Sequence, residues 1–256
     1  MARERDDFSG PIGDRVPWEE FSTEFLSKIM ALWQEQWEAF TKGLVKAGSQ
    51  MEGVGRQKAE DVLARVNEEV KPPVFSKKPG VPAKSRSDTL KMMRQWQEKW
   101  ELFTNKVIGI GSQIEGMDIL KAADLLARTM EEVNPPIFAR IAEVSRLNAN
   151  TVEGRVKAGG LCMDNMADHY PGQYEVKSDS EVILRYDRCA VMDKKLMFDD
   201  INMLRYVCQY VEPRYAMTML NYPGRRKIKV DLLKIPESFE RTPGEPVCIW
   251  RFAFED

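Results

Sequence analysis

The stretch WQEQWEAFTKG at residues 33–43 returns as WQEKWELFTNK at residues 96–106, and the match continues beyond both. Residues 33–75 and 96–138 agree at 24 of 43 positions without a gap. Chance likeness does not hold register over that length, so the chain carries an internal duplication, and one copy's fold must serve for the other. Each copy opens with two tryptophans and a phenylalanine at i, i+4 and i+7: Trp33, Trp37 and Phe40, then Trp96, Trp100 and Phe103. Leu44 and Met51 continue the first series, and Val107, Ile110 and Ile114 the second. That spacing lays bulky side chains along one stripe of a helix while Gln, Glu and Lys face water.

A glycine-bearing break follows, GSQMEGVG or GSQIEGMD, and then a second apolar series: Val62, Leu63, Val66 and Val70, or Leu125, Leu126 and Val133. Both copies reach Pro-Pro, at Pro72-Pro73 and Pro135-Pro136, where a helix is expected to stop because proline lacks the N–H and restricts the residue before it. Each copy therefore reads as a helix hairpin with one greasy face, and two such faces can cover one another. Four tryptophans exceed what one small layer needs, so the Trp-bearing helices are also expected to offer a surface for a homo-oligomer or a partner subunit.

Between the copies, SKKPGVPAKSRSD is polar and proline-bearing, a linker in which Ser87 or Asp88 is expected to cap the next helix. The division expected is residues 1–86 for the first copy and its linker, 87–140 for the second, and 141–256 for the rest. From about Tyr174 the period changes. EVKSDSEVILRYDRCAV reads as two strands around a Ser-Asp-Ser turn, with Val182, Leu184 and Tyr186 alternating against Ile183, Arg185 and Asp187. Residues 199–220 return to helical spacing, interrupted at Pro213, and RRKIKVDLLKI and PVCIWRFAFE read as two further strands. The fold class is α+β: duplicated helical hairpins, then a small antiparallel sheet packed with helices.

A net charge of -2 supplies no field for nucleic acid or an anionic membrane. No apolar run approaches the roughly 20 residues a membrane-spanning helix needs. MARERDDFSGPIGDR lacks the apolar core of a secretory signal, so a cytoplasmic address is expected. Cys162, Cys189, Cys208 and Cys248 are too sparse for a disulfide scaffold and read as thiols.

His169 is the only histidine, which excludes chemistry that needs two imidazoles. It stands between Asp168 and Tyr170 where the helical and strand halves join, as a base or ligand contact or as an ordinary surface residue. Cys189 follows Arg188, a neighbour that lowers a thiol pKa and makes a nucleophile; the alternative is a small residue filling the sheet. Arg185, Asp187 and Glu212 are charged positions beside core stripes. In a cavity an arginine there clamps a ligand carboxylate, and otherwise such residues pair on the surface. There is no GxSxG elbow and no phosphate-binding glycine loop.

The strand EVILRYDRCAV, the helix YVCQYVEPRYAMTML and the closing GEPVCIWRFAFE together resemble the 4-vinyl reductase domain and the related L-2-amino-thiazoline-4-carboxylic acid hydrolase-like group. The resemblance covers roughly residues 140–256 and implies helices packed on a small sheet around an apolar ligand cavity. It also implies a zinc site of the sensor type, in which Cys208 matches the helix cysteine, Cys248 the last ligand and Glu237 the acidic one. Glu240 stands where a further cysteine is expected. The function expected is a hydrolase acting on a C–N bond of a cyclic or amidine-like small molecule, with His169 and Asp168 activating water or a thiol. Cys189 would be nucleophile or wall, and Arg185, Asp187, Tyr170 and Glu212 would contact substrate. The alternative is a noncatalytic ligand-binding or accessory subunit of a larger complex.

Overall fold

The computed structural model describes residues 5–8, 16–73, 85–163, 172–187, 201–240 and 242–255, with only the backbone of Met203. The described chain is a mixture of helices and one antiparallel sheet, the α+β class expected. It divides into two compact units, one of residues 1–7 and 17–133, the other of residues 8–16 and 134–256.

The first unit is the duplication. Its helices are α1 (Thr23–Ser49), α2 (Gly55–Glu69), α3 (Arg86–Gly111) and the first part of α4 (Ile119–Val144). Ser22 caps α1 by accepting the Phe25 N–H at 3.1 Å, and Ser85 caps α3 by accepting the Asp88 N–H at 3.1 Å. The second cap therefore lies before the expected Ser87 or Asp88. Asp88 sits three residues into the helix and accepts the Ser85 hydroxyl at 2.7 Å, so it supports the cap rather than forming it. Ser22 and Ser85 are themselves 63 residues apart, which extends the duplication upstream of the first matching tryptophans.

Within each hairpin the two helices approach through a glycine and an alanine. A Cβ on Gly48 would collide with that of Ala59, and one on Gly111 would come within 2.8 Å of that of Ala122. The connecting turns use Gly53 and Gly116 at φ 76 and 75, a left-handed conformation that costs a side chain energy. Between hairpins the aromatic stripes interlock. Trp37 meets Phe103 at 4.7 Å, Trp100 at 5.6 Å and Trp96 at 5.8 Å, and Phe40 meets Trp100 at 5.2 Å, between ring centroids. Trp33, Trp37, Trp96 and Trp100 are all buried, none more than 3% exposed. Trp37 packs against Trp96 and Trp100, and Trp33 against Trp18, so within the described chain these rings form core and not exposed surface.

α2 ends at Glu69, ahead of Pro72-Pro73, as expected. α4 does not obey: it runs through Pro135-Pro136 to Val144. The missing N–H groups are offset by burial of the following turn, where Ile137, Phe138, Ile141 and Ala142 are at most 4% exposed. The buried Asn134 amide also donates to the Thr218 hydroxyl at 2.9 Å.

In the second unit the sheet order is β1-β2-β4-β3, all antiparallel: β1 (Gly172–Ser178), β2 (Glu181–Tyr186), β3 (Ile228–Lys234) and β4 (Cys248–Phe254). One face carries Val182, Leu184, Trp250, Phe252 and Ile228 and packs against Val152 and Val156 of α5 (Val152–Gly160). The helical stretch before β3 has three parts: α6 (Ile201–Tyr206), a π-helical segment Val207–Val211, and α7 (Glu212–Leu220). The widened turn precedes Pro213, whose ring would clash with the carbonyl four residues back, and the Glu212 N–H reaches Val207 O instead. Leu220 at the end of α7 joins the same core. No described helix is long and apolar enough to cross a membrane.

Candidate functional site

The chemistry-bearing described residues of the second unit gather at one end of the sheet's helix-covered face. Gly172 opens β1 opposite Tyr186, the last residue of β2, and Tyr186 lies opposite Cys248, the first residue of β4. A Cβ on Gly172 would lie 2.6 Å from Leu184 Cδ1 and 3.2 Å from the Tyr186 ring, so both side chains would have to shift to admit one. One step inward, Tyr174, Leu184 and Trp250 line up in register. The Trp250 indole N–H donates to Cys248 Sγ at 3.3 Å. Burial, with the Cys162 thiol nearby, pushes the Tyr174 phenol up, so it stays a proton donor at neutral pH.

This face is held by a residue that sequence reasoning passed over. Arg155 on α5 is fully buried, and its hydrogen bonds go to backbone carbonyls. Its Nε donates to Ala149 O at 2.7 Å, and its Nη1 to Leu220 O at 3.0 Å and Arg226 O at 2.6 Å. The guanidinium also lies over the rings of Tyr222 and Phe254, at 5.2 and 5.0 Å. Burial pushes its pKa down, yet three carbonyl dipoles and two ring faces replace water around the cation. It thus ties the turn before α5 to the end of α7 and the approach to β3. The only signal in the sequence was its setting, VEGRVKAGG, a charge among small residues.

The expected site residues separate. Arg185 lies on the opposite face of the sheet and pairs with Glu175 at 2.9 Å, and Asp187 accepts from Gln173 at 3.3 Å. Neither lines the helix-covered face. Glu212 is half-buried at the start of α7. Asp168, His169, Tyr170 and Cys189 lie outside the described residues. The expected zinc set is not brought together: Cys208 packs with Leu204 and Val247, Cys248 packs with the sheet core, and Glu237 is exposed beyond β3. Among the described residues no group of three or more His, Cys, Asp or Glu could hold a metal ion. Val247, just ahead of β4, packs with Cys208, whereas Cys248, the first residue of β4, joins the sheet core.

Set against family models, curated proteins and solved structures, the chain matches none.

Proposed function

We propose that the second unit binds a small organic molecule at this end of the sheet and hydrolyses a C–N bond in it, the substrate being cyclic or amidine-like. The reading takes its chemistry from the resemblance to the 4-vinyl reductase and thiazoline-carboxylate hydrolase-like group. The observation that supports it is the pairing of Gly172 with Tyr186. The sequence runs Asp168-His169-Tyr170 into the first of these residues and leaves the second for Cys189, so the two candidate segments join the sheet at neighbouring points. Tyr174 supplies a proton donor on the same face and Cys248 a sulfur.

The test is turnover of a 2-amino-thiazoline-carboxylate by the full-length chain. His169→Ala is expected to lower kcat by about 100- to 10,000-fold, the range of general acid–base help. Unchanged turnover in that variant overturns the role of the imidazole.

One observation favours a second, noncatalytic reading as a ligand-binding or accessory subunit. Arg185 and Asp187 are engaged with Glu175 and Gln173 on the far face, which removes two substrate contacts from the hydrolytic scheme. Under that reading the native chain turns over nothing, and His169→Ala leaves ligand affinity nearly intact.

A further inference from the structure

Several of the contacts between the two hairpins come in matched pairs. Trp37–Phe103 at 4.7 Å has its counterpart in Phe40–Trp100 at 5.2 Å, with the roles of the copies exchanged. Trp37–Trp100 at 5.6 Å and Phe40–Phe103 at 5.7 Å join positions that are 63 residues apart, so each residue meets its own equivalent. The turns cross in the same way. Lys58 donates to Gly53 O at 3.0 Å and comes within 2.7 Å of where a Cβ on Gly116 would stand. Lys121 donates to Gly116 O at 3.3 Å and comes within 3.2 Å of the corresponding point on Gly53. The ion pairs Lys106–Glu69 and Lys46–Glu132 use equivalent glutamates. Equivalent residues touching each other, flanked by reciprocal pairs, are the mark of an isologous two-fold interface, here formed within one chain.

We propose that this unit also closes between two copies of the chain, the first hairpin of each pairing with the second hairpin of the other. An isologous face does not distinguish which chain supplies its mate. Upstream of the second hairpin the covalent tie is the segment between Pro73 and Ser85, and none of the contacts above uses a residue from it. Exchange therefore keeps every one of them. The balance between closed monomer and exchanged dimer is set by chain concentration against the effective concentration of one hairpin for the other within a chain, on the order of millimolar for tethered modules.

Two full-length variants test this, one carrying Lys46→Cys and the other Glu132→Cys, both at exposed positions that leave the core untouched. They are mixed in urea, refolded together and oxidised. The expected product is a disulfide-linked heterodimer whose yield rises about tenfold for each tenfold rise in chain concentration below the millimolar range. Each variant refolded alone gives the background from the native thiols. The proposal is overturned if the double variant closes its disulfide within one chain while the mixture gives no heterodimer above background. Light scattering of the native chain refolded at high concentration is the second readout: a dimer mass is expected, and a monomer mass at every concentration overturns the proposal.

Discussion

Arg155 shows what a single side chain decides in this protein. It is a cation held in the interior by three carbonyls and two aromatic faces, and only the planar fork of a guanidinium spans such a set. Arg155→Met is expected to leave the buried Leu220 carbonyl without this donor, and to strip the partly buried bonds to the Ala149 and Arg226 carbonyls. At about 1–3 kcal/mol for an orphaned buried group, the loss should be on the order of 1–3 kcal/mol in urea denaturation. Arg155→Lys should recover less than half, because an ammonium is a point donor. Glycines make a second prediction at this scale. Gly53→Ala and Gly116→Ala place a side chain at positive φ and beside a lysine ammonium, and each is expected to cost about 1–2 kcal/mol in the same assay. Because the two turns are equivalents, the two losses should be similar.

At the scale of elements, the matched interface predicts matched energetics. Trp37→Ala and Trp100→Ala should each destabilise by about 3–5 kcal/mol. Double-mutant cycles for Trp37 with Phe103 and for Phe40 with Trp100 should return similar couplings of about 0.5–1.5 kcal/mol. The outer face of the sheet is organised instead by ion pairs across strands. Glu175 is held below the usual carboxylate range by hydrogen bonds from Lys177 and then Arg185, Glu181 by Arg251, and Asp231 by Lys229 and then Arg251. A carboxylate with a depressed folded pKa stabilises the fold above its unfolded pKa, near 4, and loses that contribution as pH falls through the folded value. The sheet's signal in circular dichroism is therefore expected to weaken below about pH 4, and to do so less in an Arg251→Met variant, which has already lost those pairs. These groups are solvated, so the effect is modest and shrinks with salt. The elements also show where local signals end. Strand alternation in EVILRY set Val182 and Leu184 apart from Arg185, and the structure puts the first two in the core and Arg185 on the other face, where it pairs with Glu175 instead of lining a cavity. Pro135-Pro136 carried an equally clear local signal for a helix end, and the burial of Ile137, Phe138 and Ile141 overrode it.

For the whole molecule, nearly balanced charge has a direct consequence. With 38 basic and 40 acidic residues and a sequence pI near 5.8, the chain is expected to be least soluble around that pH, which turbidity against pH would measure. The same small net charge gives two copies no strong mutual repulsion to oppose the exchanged dimer. The sequence by itself determined the duplication, the greasy stripe of each hairpin, the change to strand periodicity near Tyr174 and the α+β class. All of these are patterns of period and identity, which a chain carries before it folds. What only the tertiary structure decided concerns pairs distant in sequence. Among them are the mutual burial of four tryptophans, the separation of Cys208 from Cys248 into different clusters, and the three carbonyls from different segments around Arg155. Such outcomes depend on which surfaces meet when the chain closes, and neither residue type nor spacing along one element encodes that meeting.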